Sequence, residues 1–338
     1  MKIRTFGRLA VALLSAATLT AASCSPGSDR LTIYSGRSEF LIRPLLEQFA
    51  EETDTPIDVR YGDSADLALL IAEEGQDSPA DVFLAQNPGA VGFLAGQMRL
   101  QPLSEEVLGR VEPRFRNGRG LWVGISGRVR VLVYNTEMVD PAELPDSVFD
   151  LTSERFQGEV AVAPTNGSFQ DFITAMRQMH GDQATLGWLK GMVANDAQTY
   201  ANNSAILQAV GRGEVPMGLV NHYYHYRFQE EDPGLPTANY LFPDGGVGAF
   251  VIVTAVAVLD TAEQPEQAEE FVSFLLSEEA QRYFSQQTFE YPLAAGVEAA
   301  VDLPPLEEID SPALDFDRLG GGLERTKQLI DQSGLERS

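Results

Sequence analysis

The chain has 338 residues, with 49 acidic against 24 basic side chains and a formal charge of −25. That balance excludes nucleic-acid binding by counterion release, because the phosphate backbone would meet a surface of its own sign. The single cysteine, Cys24, excludes intrachain disulfides and thiolate metal clusters, so the fold must rest on its core.

Lys2, Arg4 and Arg8 precede a short apolar run, Leu9 to Leu19, which ends in Ala21-Ala22-Ser23-Cys24. This pattern is a secretory signal over residues 1–23, too short to be a membrane span. Small residues directly before a lone cysteine resemble a bacterial lipobox, which would make Cys24 the lipidated N-terminus. Ala21 stands where such motifs usually carry Leu; ordinary cleavage near Ala22, leaving a free thiol, is the alternative. Residues 24–30 then read as anchor and tether. Removing residues 1–23 takes away three bases and no acid, so −25 becomes −28. No later run of eighteen apolar residues predicts a second membrane segment. About 315 remaining residues suggest two domains.

Leu31 to Tyr34 predicts a strand, and Phe40, Leu41, Leu45, Leu46 and Phe49 recur at helical spacing. Ile57–Tyr61 is strand-like, Leu67–Ala72 helical, and Asp81–Leu84 again a strand; the alternation predicts a parallel α/β layer. Trp122 to Tyr134 is an extended stretch long enough to cross between domains. A second αβ pattern follows: strand Glu159–Ala163, helix Phe169–Met179 ending before Gly181, helix Ala205–Val210 and strand Met217–Val220. Val247–Val258 is another long extended run, and Pro265–Gln287 reads as two helices broken at Ser277. A chain that leaves one αβ domain, builds another and returns predicts a two-lobed clamp with a cleft between the lobes.

Open α/β sheets bind ligands at the loops beyond their strand ends. Five loops qualify: Ser35–Glu39, Gln86–Asn87, Pro164–Ser168, Asn202–Ser204 and Asn221–His225. The last carries Tyr223 and Tyr224 directly after an apolar strand. Aromatics at a strand end are ordinarily core or cleft wall. Neighbours on an extended strand also point to opposite faces, so both phenols meet one ligand only if the backbone bends there. If it does, a highly charged cation would strip their protons, and hard oxygen donors suit an ion such as Fe³⁺. Ser168 is placed to cap the helix after Pro164, with Asp171 three residues on as in a capping box. Such a terminus attracts anions, although a plain helix cap is the simpler reading. Arg128 and Arg130 are candidates for a hinge ion pair. His222 and His225 have no spacing that demands a metal. No phosphate loop, HExxH, GxSxG or paired catalytic acid motif supports an enzyme.

Seven segments in order resemble the periplasmic ferric-ion-binding proteins, the substrate-binding components of iron(III) ABC importers. They are residues 31–37 (LTIYSGR), 73–83 (EEGQDSPADVF), 126–134 (SGRVRVLVY), 164–169 (PTNGSF), 200–210 (YANNSAILQAV), 221–224 (NHYY) and 290–293 (EYPL). The resemblance implies an α/β type II periplasmic-binding-protein clamp, each lobe a mixed sheet flanked by helices and joined by hinge strands near Arg128 and Val251. It implies an N-terminal lobe over 31–127 plus 253–303 and a C-terminal lobe over 128–252 plus 304–338. Tyr223 and Tyr224 match the family's paired iron ligands. Asn166, Gly167 and Ser168 match the loop that holds its synergistic carbonate or phosphate, with further contacts at Asn203, Asn221 and Asn87. In members that use carbonate an arginine contributes, which points to Arg128 or Arg130. Where many members have His and Glu ligands, this chain has Ser38 and Gln86. Where some supply a third tyrosine it has Asn166. Glu39 is a stand-in shifted by one residue.

These readings predict a non-enzymatic, monomeric extracytoplasmic receptor, tethered at Cys24, that delivers ferric iron to an ABC permease and ATPase. The alternative is the same fold binding an organic phosphonate, polyamine or oxyanion. A hydrolase built on the clamp is a third reading, for which no nucleophile–base pair is present.

Overall fold

A computed structural model of the chain describes residues 30–300, 303–312, 314, 316, 319 and 322–337. The expected leader, Cys24 and nearly all of the tether lie outside the described residues. Strand β1 (Leu31–Ser35) runs parallel to β2 (Ile57–Tyr61) on one side and β3 (Val82–Ala85) on the other. Helix α1 (Glu39–Thr53) follows β1, α2 (Ser64–Glu74) follows β2, and α3 (Pro88–Gly96) follows β3. Leu41, Ile42, Leu45, Leu46 and Phe49 form one buried stripe of α1, so its apolar spacing becomes packing against the layer. Asp63 caps α2 by accepting from the Ala65 amide at 2.9 Å, and Asn87 caps α3 by accepting from Ala90 at 3.3 Å. A single turn, α4 (Glu105–Leu108), is capped by Ser104.

Strand β4 (Val123–Asn135) is buried along its length and joins two halves of the sheet. From Val123 to Val129 it pairs antiparallel with β9 (Val251–Val258), which also pairs with β3. From Arg130 to Tyr134 it pairs with β7 (Met217–Asn221). Opposite β9, Gly127 and Ser126 meet β10 (Tyr291–Pro292); opposite β7, Leu132–Asn135 meet β8 (Thr237–Tyr240). Parallel strands β5 (Val160–Val162) and β6 (Gln198–Thr199) complete the order β2-β1-β3-β9-β4-β7-β5-β6. The change of partners along β4 falls between Val129 and Arg130.

Helices α5 (Gly167–Ala194), α6 (Asn203–Gly211) and α7 (Tyr223–Glu231) belong to the second half. Helices α8 (Pro265–Leu275) and α9 (Glu278–Gln287) return to the first, where Phe271 meets Phe49 edge-on at 5.1 Å and the Tyr283 hydroxyl donates to Leu41 O at 3.0 Å. Helix α10 (Leu323–Ser333) packs on α5 through a 2.7 Å hydroxyl contact between Thr174 and Thr326.

Gly181, at φ 80 and ψ 163, breaks α5 into two helical arms, so the first arm ends at the glycine as the sequence reading has it. Two local features differ from that reading. The apolar run from Val247 is not one strand: Gly246–Ala249 form a 3₁₀ turn, and β9 starts at Val251. Tyr223, Tyr224 and His225, read as part of the loop Asn221–His225, instead open the helix Tyr223–Glu231.

Gly218 shows how tightly the second half is packed. A Cβ there would lie 2.4 Å from Ile206 Cγ2 and 3.1 Å from Ala161 Cβ. Gly218→Ala is expected to cost about 1–3 kcal/mol by forcing α6 away from the sheet. A urea denaturation midpoint equal to that of the parent would contradict this.

Candidate functional site

A cavity of about 220 Å³ opens where the two halves face each other. It is lined by the starts of six helices. From the first half come Ser38 before α1, Asp63 and Ser64 of α2, and Asn87 before α3. From the second come Asn166 to Ser168 of α5, Asn203 of α6, and Tyr223 and Tyr224 of α7. Helix N-termini carry unpaired amides and partial positive charge. A chain of strongly negative total charge thus holds a cleft whose backbone favours anions.

Tyr223 and Tyr224 lie in the first turn of α7, immediately after β7 ends at Asn221. A helix turns successive side chains by about 100° rather than the half-turn of a strand, which is the bend that two converging phenols require. Their rings stack at 4.4 Å between centroids and 26° between planes. Tyr223 is only 3% exposed. Burial, and next its neighbour Tyr224, push its phenol well above the ordinary range, while Arg128 pulls the other way.

His222 fixes where that turn begins. The Val129 amide donates to its Nδ1 at 3.0 Å, so Nε2 carries the proton and donates to Phe289 O at 2.8 Å. Burial lowers its pKa to about 4, which keeps the ring neutral. His222 therefore ties the tyrosine turn to the partner-exchange point of β4 and to the segment before β10. The sequence reading assigned it no role.

The niche at the start of α5 is built of amides and hydroxyls. The sequence reading gives the cap of α5 to Ser168; Asn166 holds that place instead, accepting from the Ser168 amide at 3.1 Å and its hydroxyl at 2.6 Å. No capping box forms with Asp171, which turns toward the cavity. Asn203 Nδ2 donates to Ser168 Oγ at 3.1 Å. Asn221 Oδ1 accepts from Arg130 at 3.4 Å.

The two arginines differ. Arg128 lines the cavity, donating to Thr254 Oγ1 at 2.7 Å and to the carbonyl of Gln86. Arg130 lies behind the niche. It donates to Leu219 O at 2.9 Å and Ser168 Oγ at 3.3 Å, stacks near Phe169 and Phe172, and burial lowers its pKa to about 9. Glu39 does not line the cavity. It is exposed and pairs with Arg43 one turn along α1, because its position puts it on the solvent face. Ser38 and Gln86 do line it, and Gln86 Oε1 is buried without a partner.

Residues 77–320 match the family described as bacterial extracellular solute-binding protein. The chain belongs to this family. This solute-binding protein is 31% identical to the Fe(3+)-binding periplasmic protein of Serratia marcescens, over 99% of this chain and 100% of that one. Its structure matches iron-bound HitA from Pseudomonas aeruginosa with a TM-score of 0.85 at 35% identity, covering 90% of this chain and 99% of that one. It also matches the Trichodesmium protein IdiA (FutA), solved with iron and citrate, with a TM-score of 0.79 at 29% identity, covering 90% and 99%. The fold is thus the two-lobed type II clamp that the resemblance implied.

Two groupings in this solute-binding protein were not read from the sequence, although Asp171 and Arg128 were named there in other roles. Asp63 and Asp171 are the carboxylates that line the cavity. Beneath it, Arg37, Arg128, Thr254 and Glu290 form a buried cluster. Arg37 donates to Glu290 Oε1 at 3.1 Å and to Thr254 Oγ1 at 3.0 Å, and Arg128 lies 3.7 Å from Glu290. Among the described residues no group of three or more His, Cys, Asp or Glu side chains comes together to hold a metal.

Proposed function

We propose that this protein captures ferric iron together with a small anion in the cleft and delivers it to an ABC permease. The observation that carries this reading is the stacked pair Tyr223 and Tyr224, both lining a cavity shared by the two halves. Two phenolates are hard donors suited to Fe³⁺. The starts of α5 and α6, with Asn166, Gly167, Ser168 and Asn203, suit carbonate or phosphate, and Arg128 adds charge beside them. Ser38, Gln86 and Asn87 are neutral, so water or oxygens brought with the cargo complete the shell on the first half. The relatives named for ferric iron support the same cargo.

In this reading the lobes are residues 31–127 plus 253–303 and residues 128–252 plus 304–338, and they close about the strands β4 and β9. The leader is cleaved and Cys24 is lipidated, holding a monomer as a periplasmic or cell-surface lipoprotein. The role is capture and delivery, with no catalytic step.

Titrating ferric citrate into chelator-stripped protein, with elemental analysis of the product, tests the proposal. The expected result is one iron per chain and a visible phenolate-to-iron charge-transfer band. A colourless protein that binds a phosphonate tightly and ignores ferric salts would replace iron with the alternative cargo.

A further inference from the structure

Asp171 lies one turn into α5 and is 6% exposed, yet its Oδ2 has no hydrogen-bond partner. A buried carboxylate oxygen left unmatched is costly and needs an explanation. Its position supplies one. Asp171 lines the 220 Å³ cavity and also a second cavity of about 490 Å³, on the side where α2 and α3 face α10. It is therefore a side chain of the second half set in the seam between the halves. Asp63 and Asn87 of the first half face it across that seam, Asn87 as a hydrogen-bond partner. Arg128 and Arg130 of β4 act on it from below, and Asp66, Glu324 and Lys327 share the second cavity with it.

We infer that Asp171 is a proton-binding site of the interlobe seam, taking up a proton when the halves close on it and releasing it when they part. The inference rests on the two-lobed clamp reading of the cleft. Closure removes water from the carboxyl and sets a second carboxylate, Asp63, against it. Both effects favour the neutral acid, and they outweigh the two arginines. A protonated Asp171 then donates a hydrogen bond where the carboxylate can only accept.

The sign follows from linkage. In the closed form burial, against the pull of Arg128, raises the pKa from 3.8 to about 7. With the halves apart the carboxyl is solvated and returns toward 3.8. The closed form binds the proton more tightly, so acid favours closure, and the effect fades as the pH rises through about 7. Between pH 8 and pH 5 the closing equilibrium of the ligand-free protein should rise on the order of a hundredfold.

Small-angle X-ray scattering of the iron-free protein from pH 5 to pH 8 tests this. The wild type is expected to become more compact on acidification. Asp171→Asn mimics the neutral acid and is expected to stay compact at every pH. A wild type with no pH response, or an Asp171→Asn variant that keeps it, overturns the inference. If that variant fails to fold, Asp63→Asn retains the α2 cap and removes the facing charge. It should move the transition to lower pH, and an unmoved transition counts against the site. Ferric titration of the same samples separates the two readings. Colour with a pH-independent shape removes this inference alone, whereas a pH-dependent shape without colour removes the iron reading alone.

Discussion

Tyr223→Phe and Tyr224→Phe should each abolish the visible ferric band or shift it far from its parent position, and lower ferric affinity by more than about 100-fold. Loss of groups that merely orient a metal ligand already costs ~10–100-fold, and each of these changes removes a donor itself. The fold is expected to survive. Phe keeps the ring stack in the first turn of α7, where Tyr223 is 3% exposed, and loses only the hydroxyl. The pH dependence has a definite sign. A phenol must lose its proton to bind the ion, and burial raises the pKa of Tyr223 above its ordinary value of about 10. Ferric affinity therefore rises with pH. Competition against a chelator of known affinity, read at several pH values, measures both effects. A Tyr223→Phe protein with parental colour and affinity would remove that residue from the coordination shell.

Glu290→Ala is expected to have the largest effect on stability. Glu290 is 1% exposed and answers two guanidinium groups, Arg37 and Arg128, that are equally buried. Thr288 Oγ1 adds a hydrogen bond at 2.9 Å. Removing the carboxylate leaves two buried cations without a counter-charge, a change that costs about 3–5 kcal/mol. The melting temperature should fall by roughly 5–10 °C. Desolvation pushes Glu290 upward, but Arg37, with help from Arg128 and Thr288, outweighs it and holds the carboxyl below its usual range. Its contribution to stability is thus present above the unfolded value of about 4.3 and is lost as acid drives the folded carboxyl to its neutral form. A Glu290→Ala protein with unchanged melting would mean that the cluster relaxes or admits water.

The features that sequence reading reaches are those with a local signal. The strand–helix alternation of the first half, the long strand β4 and the break at Ser277 all follow from periodicity and caps. The grouping of Asn87, Asn166 and Asn203 in one cavity comes from the family resemblance rather than from local pattern, although Asn87 and Asn166 cap their helices. The features it misses have long-range causes. Arg37 and Glu290 are 253 positions apart, and no pattern near either announces the other. Asp171 looked like half of a capping box, because spacing cannot say that Asn166 would take the cap. Glu39 matched the expected ligand loop by position, yet one step along α1 put it on the solvent face. The aromatic segment Asn221–His225 reads as a loop beyond a strand, and the contacts of His222 with Val129 and Phe289, both distant in sequence, accompany the helix that starts at Tyr223 instead.

The change of partners in β4 also has an electrical side. Arg128 and Arg130 sit two residues apart on one face of the strand, on either side of the point where it passes from β9 to β7. One guanidinium is anchored to Gln86 and Thr254, the other to Leu219. Any twist between Val129 and Arg130 must swing one of these fixed charges against the other. The angle of the joint is therefore tied to the spacing of two buried positive charges, 1% and 0% exposed.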